Sequence, residues 1–192
     1  MDRSGGAEHR RRLLAGLRGR VIEVGAGSGL NFAHYPAEVT CVLAVEPEPY
    51  LRRLASRAAA DAPAAVEVVA GVAEALPAAE AAFDAAVASL VLCSVADQRQ
   101  ALAEMRRVVR PGGELRFFEH VVATTPGLRR VQRAVDATLW PLLLGGCHTS
   151  RDTAAAIAAA GFTVQALDRF AFPETQIPQP SSPHILGIAI RA

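Results

Sequence analysis

Short apolar segments alternate with longer segments of helical periodicity along most of the chain. Near-continuous apolar runs such as VTCVLAV, residues 39–45, are typical of strands buried on both faces of a parallel sheet. Strands are predicted at 20–24, 39–45, 66–70, 83–88, 113–121, 162–170 and 185–190. Helices are predicted at 8–18, 30–35, 48–60, 97–109, 126–140 and 150–160. This order predicts an α/β fold with a doubly wound, Rossmann-like sheet and helices on both faces.

The end of the chain breaks this alternation. Only a proline-rich loop, residues 171–184, joins the last two predicted strands, without the crossover helix that usually connects a parallel pair. We therefore expect these two strands to pair antiparallel. No linker or internal repeat divides the sequence, so residues 1–192 are predicted to form one domain.

Charge and cysteine content narrow the range of partners. A formal net charge of +1 provides no global field that draws the chain to nucleic acid or to a membrane. The charged run HRRR, residues 9–12, stands beside leucines and is interpreted as the solvated face of a first helix. Three cysteines without CxxC spacing indicate a reducing compartment, and they favour neither a disulfide framework nor a zinc site. With no secretory signal pattern and no apolar run of spanning length, a cytoplasmic protein is expected.

The segment RVIEVGAGSGLN, residues 20–31, leads from a predicted strand into a turn that contains Gly25, Gly27 and Gly29. Glycine adopts positive φ angles and lets the backbone approach a nucleotide-like ligand closely. In a doubly wound sheet the ligand binds at the carboxyl ends of the strands near the switch point, so this turn is the predicted site. The spacing is GxGxG, because Leu30 stands where the dinucleotide fingerprint GxGxxG has its third glycine.

Two carboxylates near the glycine turn indicate what kind of ligand binds there. Glu23, just before the turn, is a poor neighbour for a pyrophosphate and suits a ligand that carries an ammonium group. S-adenosylmethionine (SAM) has such a group beside its sulfonium. Glu46, at the end of the second predicted strand, can accept hydrogen bonds from both ribose hydroxyls. Dinucleotide enzymes also use an acid there, so Glu46 supports a nucleoside without choosing between the two ligands.

Five ordered segments resemble the class I SAM-dependent methyltransferases. They are VIEVGAGSG, AVEPEP, GVAEALP, FDAAVASLVLCSV and RRVVRPGGELRFFEH, and together they span roughly residues 20–121. The resemblance implies a seven-stranded sheet whose last strand is inserted antiparallel. It also implies that the methionine part of SAM lies on the glycine turn, the ribose on Glu46 and the adenine beside Ala73. The predicted cofactor-binding residues are Glu23, Gly25, Ala26, Gly27, Gly29, Asn31, Glu46, Pro47, Ala73, Glu74, Ser89 and Leu90.

The second half of the chain resembles a narrower group, the methyltransferase-like thiol S-methyltransferases, which methylate small alkyl and xenobiotic thiols. The resemblance lies in LVLCSV, RPGGELRFFEHV, TLWPLLLGGCHTSRD and PHILGIAI. It implies S-methylation of a small thiol. The high alanine and arginine content is typical of GC-rich bacterial genomes, so a role in bacterial specialised metabolism or in thiol detoxification is expected. Animal members begin with a membrane-anchoring segment that this sequence does not show, and they tend to have asparagine at the position of His148.

Methyl transfer to a thiol makes modest demands on the acceptor site. Methyl transfer is an in-line displacement, so alignment of the reacting atoms contributes much of the rate. A thiol with a pKa of about 8.5 is already partly ionised at neutral pH, and a modest base then suffices. His120 and His148 are the candidate bases. Trp140 and Cys147 are predicted to line the acceptor pocket, under an N-terminal lid helix in residues 1–19 and an insertion at residues 122–150.

The residues by themselves leave several functions open. An N- or O-methyltransferase for a small amine, phenol or phospholipid headgroup shares the whole cofactor half. A non-catalytic SAM-binding module and a dinucleotide oxidoreductase also stay open. The expected partner is a small-molecule acceptor, with no nucleic acid, no membrane span and no resident metal; the oligomeric state is left open. Cys41 and Cys93 are interpreted as small buried apolar residues, and His184 as structural.

Overall fold

The protein folds around one sheet of seven strands. A computed structural model describes residues 5–143, 145–173 and 179–192. The predicted lid 1–19, insertion 122–150 and loop 171–184 therefore each include positions outside the described residues. The strands are β1 (Gly19–Val24), β2 (Val39–Val45), β3 (Ala65–Val69), β4 (Phe83–Ser89), β5 (Val109–His120), β6 (Phe162–Ala171) and β7 (Pro183–Arg191).

The strand order places the switch point at β1. The strands lie in the order β3-β2-β1-β4-β5-β7-β6. Strands β1 to β5 pair in parallel, and β7 lies between β5 and β6, antiparallel to both. This confirms the predicted antiparallel pairing of the last two strands and the inserted position of the last one. The winding reverses between β1 and β4, which opens a crevice at the carboxyl ends of these strands.

Helices cover both faces of the sheet, as predicted. They are α1 (Gly6–Leu14), α2 (Pro49–Ala59), α3 (Gln98–Val108), α4 (Pro126–Asp136), α5 (Trp140–Leu143) and α6 (Thr153–Ala159). Three of them begin at an acidic cap whose side chain accepts hydrogen bonds from the free N–H groups of the first turn. The caps are Glu48 for α2, Asp97 for α3 and Asp152 for α6.

The core has two layers, one on each face. In β1, Ile22 packs into one layer and Val21 into the other, because successive strand residues point to opposite sides. Met105 of α3 and Ile157 of α6 fill the first layer, and Leu13 of α1 packs into the second. The apolar strand pattern thus reflects burial from above and below.

Two helix predictions were wrong in extent near a proline. The segment 30–35 forms only a 3₁₀ turn, Phe32–His34, because Tyr35 precedes Pro36 and takes the extended conformation that this position favours. The helix predicted at 126–140 ends at Asp136, and the separate short helix α5 begins at Trp140. A proline inside a continuous helix has no N–H and clashes with the preceding turn, whereas Pro141 is tolerated in the first turn of a new helix.

Helix α1 differs from its prediction in two ways. It ends at Leu14, short of the predicted residue 18, and Gly16 follows with a φ of 76°. The charged run on this helix is not uniformly solvated: Arg11 and Arg12 are exposed, but Arg10 is only 8% exposed. Arg10 stands three and four residues before Leu13 and Leu14, which places it on the apolar face of the helix. None of the helices in the described residues is long and apolar enough to cross a membrane.

Candidate active site

A cavity of about 500 Å³ opens at the carboxyl ends of β1, β2 and β4. Eight of the predicted cofactor residues line it, among them Gly25, Gly27 and Glu46, and it is named the nucleoside cavity after that prediction. The others are Pro47, Ala73, Glu74, Ser89 and Leu90. Leu51, Val72, Val91 and Val95 add apolar surface. The cavity therefore offers a carboxylate between apolar walls, as a nucleoside requires.

The glycine turn shapes the floor of this cavity. Gly25 has a φ of 68°, and its N–H donates to the carbonyl of Val45 at 2.8 Å. A Cβ atom on Gly25 would lie 2.5 Å from the side chain of Val91, so the turn has no room for a larger residue. Gly29 is different, because its missing Cβ makes room for the ring of Phe32, and Gly29 does not line the cavity.

Glu46 is held in place by the loops that surround it. Its side chain is buried, and one carboxylate oxygen accepts the N–H of Gly27 at 2.8 Å while the other accepts the N–H of Glu48 at 2.9 Å. Each carboxylate oxygen has two lone pairs. Both oxygens therefore keep a free acceptor position for ribose hydroxyls.

A smaller cavity of about 180 Å³ continues from the glycine turn toward α1. Gly25, Gly27 and Leu90 line both spaces. Glu23 and Arg10 line the smaller one, together with the predicted residues Ala26 and Asn31. Arg10 is the residue that the sequence interpretation missed, although its spacing to the leucines of α1 was a usable signal. Its Nε is buried without a hydrogen-bond partner among the described residues.

Glu23 is fully enclosed at the bottom of this smaller cavity. Asn31 Nδ2 donates to one of its oxygens at 2.8 Å and the Tyr35 hydroxyl to the other at 2.6 Å. Burial raises the pKa of Glu23 to about 7, although both hydrogen bonds and the charge of Arg10 oppose the rise. A cation placed beside Glu23 would stabilise its ionised form. The buried carboxyl group of Glu23 and the buried guanidinium of Arg10 thus line the same cavity.

A second cavity, of about 600 Å³, adjoins the nucleoside cavity, and it is named the acceptor cavity after the pocket prediction for Trp140 and Cys147, which line it. Leu90, Ser94 and Gly145 line both cavities. Leu90 has a φ of 60°, which is uncommon for a residue with a side chain, and residues of this kind are found more often at functional sites than elsewhere. The acceptor cavity is lined by Gly6, Arg10, Leu90, Cys93, Ser94, Phe118, His120, Trp140, Leu143, Gly145, Cys147, Phe172, Pro173, Ser181 and His184.

Three groups of metal-binding type meet at its wall. Nδ1 of His120 lies 3.3 Å from Sγ of Cys147 and 3.6 Å from Sγ of Cys93. The three residues come from the end of β5 and from the loops that follow β4 and α5. The sequence spacing had indicated no such cluster, and it had assigned Cys93 to the apolar core. The fold brings the three together because all of these segments end at one edge of the sheet.

The two thiols of this cluster are electrostatically unequal. The contact with Cys147, together with burial, raises the pKa of Cys93 to about 12. The same contact lowers the pKa of Cys147. Burial disfavours a charged His120, but the neighbouring Cys93 and Glu119 outweigh it and raise its pKa. Cys147 is thus the thiol that ionises more easily.

The two predicted bases occupy different surroundings. His120 lines the acceptor cavity, whereas His148 does not. Nδ1 of His148 lies 2.7 Å from the carbonyl oxygen of Gly146, and its backbone N–H donates to the carbonyl of Cys93. His184 is buried beside His120, and burial together with the charge of that neighbour lowers its pKa to about 4. Trp140 and Cys147 line the cavity at the positions for which the sequence predicted a pocket role.

The fold and the site define a class of enzyme. A Rossmann-like sheet with an inserted antiparallel strand carries a nucleoside cavity on its glycine turn, and the Methyltransferase domain family matches residues 22–117. The chain belongs to the class I SAM-dependent methyltransferases. It is similar to Thiol S-methyltransferase TMT1B of Homo sapiens, with 33% identity over 185 residues that cover 93% of this chain and 74% of that relative.

Solved structures share the fold at lower identity. A SAM-dependent methyltransferase from Thermotoga maritima, described as a possible histamine N-methyltransferase, is 21% identical with a TM-score of 0.70, over 97% of this chain and 89% of that one. Geranyl diphosphate methyltransferase in complex with SAM is 15% identical with a TM-score of 0.73, over 98% of this chain and 85% of that one. These likenesses show the fold.

SAM is the cofactor of this family, and the cavities fit it. The two carboxylate oxygens of Glu46 keep acceptor positions for ribose hydroxyls, and the apolar walls suit adenine. The smaller cavity offers a carboxylate and a guanidinium, Glu23 and Arg10, for a ligand end that carries both an ammonium and a carboxylate. The unpartnered Nε of Arg10 is a donor of the kind that such a carboxylate uses.

Proposed function

We propose that this enzyme transfers the methyl group of SAM to the sulfur of a small, largely apolar thiol. The observation that carries the proposal is the acceptor cavity, which meets the nucleoside cavity at Leu90 and ends at two cysteine sulfurs and an imidazole. The name of the relative, a thiol S-methyltransferase, supports it. SAM supplies a methyl carbon activated by its positively charged sulfur.

The residues of the cavity suit a thiol more than an alcohol. Phe118, Trp140 and Phe172 offer apolar contacts for a hydrocarbon group. A thiol ionises far more readily than an alcohol, so the site needs only to favour a thiolate and hold it in line. In this proposal His120 faces the acceptor sulfur. The base role predicted for His148 stays a prediction, because its side chain does not line this cavity.

Two segments are proposed to close over the acceptor. Gly6 and Arg10 of α1 line the acceptor cavity from one side. Trp140 and Leu143 of α5 line it from another. This arrangement supports lid roles for the N-terminal helix and for the insertion. The three cysteines of the chain are free, which supports the proposed reducing compartment, the cytoplasm.

The test compares acceptors that differ in one atom. The purified enzyme is incubated with SAM and with benzyl mercaptan, benzyl alcohol or benzylamine, and the corresponding phenyl series is run in parallel. Release of S-adenosylhomocysteine (SAH) and the methylated product are measured by mass spectrometry. We expect the thiol of each series to turn over at least about tenfold faster than its oxygen and nitrogen analogues.

Other results of this comparison would indicate a different function. Faster turnover of an amine or a phenol would contradict S-methylation and indicate an N- or O-methyltransferase. SAH binding without turnover of any acceptor would indicate a SAM-binding module. Binding of NAD in calorimetry, without binding of SAM, would indicate a dinucleotide oxidoreductase. The variant Gly25→Ala serves as the control that lacks a formed cofactor turn, and it should release no SAH with any acceptor.

A further inference from the structure

The cluster at the wall of the acceptor cavity has the composition of a metal site. The ligand atoms of Cys93, His120 and Cys147 all lie within 4.8 Å of one another. Two thiols and one imidazole are a ligand set of catalytic zinc, which keeps its fourth position open for substrate. We propose that these three residues bind a thiophilic divalent cation, zinc, and that its open position receives the sulfur of the acceptor.

The distances match this proposal. Tetrahedral zinc with bonds of about 2.3 Å to sulfur and about 2.1 Å to nitrogen separates a sulfur from a nitrogen ligand by about 3.6 Å. Nδ1 of His120 lies 3.6 Å from Sγ of Cys93 and 3.3 Å from Sγ of Cys147. Both nitrogen–sulfur distances are therefore within a few tenths of an ångström of the spacing in a zinc site, and the two sulfurs lie within 4.8 Å of each other.

The surrounding hydrogen bonds hold the ligands in this arrangement. Both carboxylate oxygens of Glu119 accept backbone N–H groups of the loop 91–93, which carries Cys93. Asp136 accepts the N–H and hydroxyl groups of Thr149 and Ser150, just beyond Cys147. Such outer contacts orient metal ligands and are a common feature of metal sites.

The two cysteine loops are also joined to each other. The N–H of His148 donates to the carbonyl of Cys93 at 2.8 Å. Gly146 has a φ of 85°, and a Cβ there would lie 2.5 Å from the carbonyl oxygen of Ser94. The close approach of the loops, and with it the proximity of the sulfurs, therefore depends on a glycine.

The location of the cluster gives the metal a role, and this role rests on the proposed function. All three ligands line the acceptor cavity, so a thiol in that cavity can reach the open position. The bound thiol releases its proton to water and remains as a thiolate. Its sulfur forms the new bond to the methyl carbon, the bond from that carbon to the sulfonium sulfur breaks, and SAH leaves. The neutral thioether is a weak ligand and is released.

The first experiment measures metal without any acceptor. The chain is purified without an affinity tag or chelator, and its zinc content is determined by plasma mass spectrometry. We expect about one zinc ion per chain. Replacement of zinc by Co²⁺ should give the strong visible absorption of a tetrahedral site and a sulfur-to-cobalt charge-transfer band. A zinc content near zero, or a cobalt spectrum without these bands, would overturn the proposal.

The second experiment uses matched cysteine variants. Cys93→Ser and Cys147→Ser should each reduce zinc affinity by more than about tenfold. Cys41→Ser is the control, because this third cysteine is half-buried on β2 outside the cluster and should leave the zinc content unchanged. SAH binding by calorimetry shows which variants keep the fold. Equal zinc content in all three variants would contradict the assignment of the ligands, as would a Cys93–Cys147 disulfide in the purified protein.

A third measurement separates this inference from the proposed function. Addition of benzyl mercaptan to the cobalt protein should shift the visible bands, because the thiolate enters the open position. A shift without methylation would support the metal site and contradict S-methylation. Thiol turnover at the full rate in metal-free protein would support S-methylation and overturn the role of the metal.

Discussion

The charge of Glu23 should control the affinity of the enzyme for its cofactor. Burial raises the pKa of this carboxyl to about 7, against hydrogen bonds from Asn31 and Tyr35 and the charge of Arg10. A ligand ammonium beside Glu23 is attracted by the ionised carboxylate and not by the neutral acid. Because an acid ionises as the pH rises, cofactor affinity should increase with pH through this window.

The magnitude follows from the ionised fraction. With a pKa of about 7, about a tenth of Glu23 is ionised at pH 6.0 and about three quarters at pH 7.5. If only the ionised form binds well, the affinity rises about eightfold over this range, which corresponds to about 1.2 kcal/mol. The ligand keeps its own ammonium proton through most of the window, so it contributes little to the change.

Calorimetry with SAH at pH 6.0, 6.5, 7.0 and 7.5 measures this dependence at constant ionic strength. Glu23→Gln should bind SAH weakly and with little change across the range. Tyr35→Phe removes a hydrogen bond that favours the ionised form, so it should move the rise in affinity to higher pH. Glu67→Gln, an exposed position on β3, is the matched control. The same slope in Glu23→Gln as in the wild type would show that another group titrates and that Glu23 does not control the affinity.

Three further predictions concern the cofactor end of the site and the buried acid. Arg10→Ala should weaken SAH binding by about 10- to 100-fold in calorimetry, whereas Arg11→Ala on the exposed face of the same helix should not; equal losses would contradict a carboxylate contact. Gly25→Ala should abolish SAH binding, while Gly16→Ala, which has a similar positive φ and no neighbour within 4 Å, should lower only the denaturation midpoint. Because the pKa of Glu23 rises from 4.5 to about 7 on folding, its stabilising effect is complete below pH 4.5 and is lost as the pH rises through 7. Glu23→Gln should therefore gain stability relative to the wild type by up to about 3 kcal/mol between pH 4.5 and 8 in urea titrations, and an unchanged difference would contradict the raised pKa.

The order of elements could be predicted because its signals are local. Apolar runs such as residues 39–45 identify buried strands without reference to any other part of the chain. The proline-rich sequence before β7 predicts no crossover helix, and the antiparallel pairing of β7 with β6 agrees with that prediction. The glycine turn and the acid at Glu46 follow strands directly, so their place at the ligand edge of the sheet also followed from local pattern.

Other features depended on how distant segments pack. The spacing of Arg10 to the leucines of α1 indicates that it is buried, but only the contact of α1 with the sheet turns it toward the cofactor end of the site. The contacts of Asp136 with Thr149 and Ser150, at the end of α4, likewise join segments whose proximity the sequence does not indicate.

By itself the sequence determined the succession of strands and helices and the direction of the last strand, because each depends on residues that are near one another in the chain. The class of cofactor followed from the resemblance of its ordered motifs to a known family. Tertiary structure alone decided that Cys93, His120 and Cys147 meet, since 27 residues separate each from the next. Local periodicity carries no information about the paths of loops. Those paths are set by buried hydrogen bonds, here to Glu119 and Asp136, which form only when the whole sheet edge has assembled.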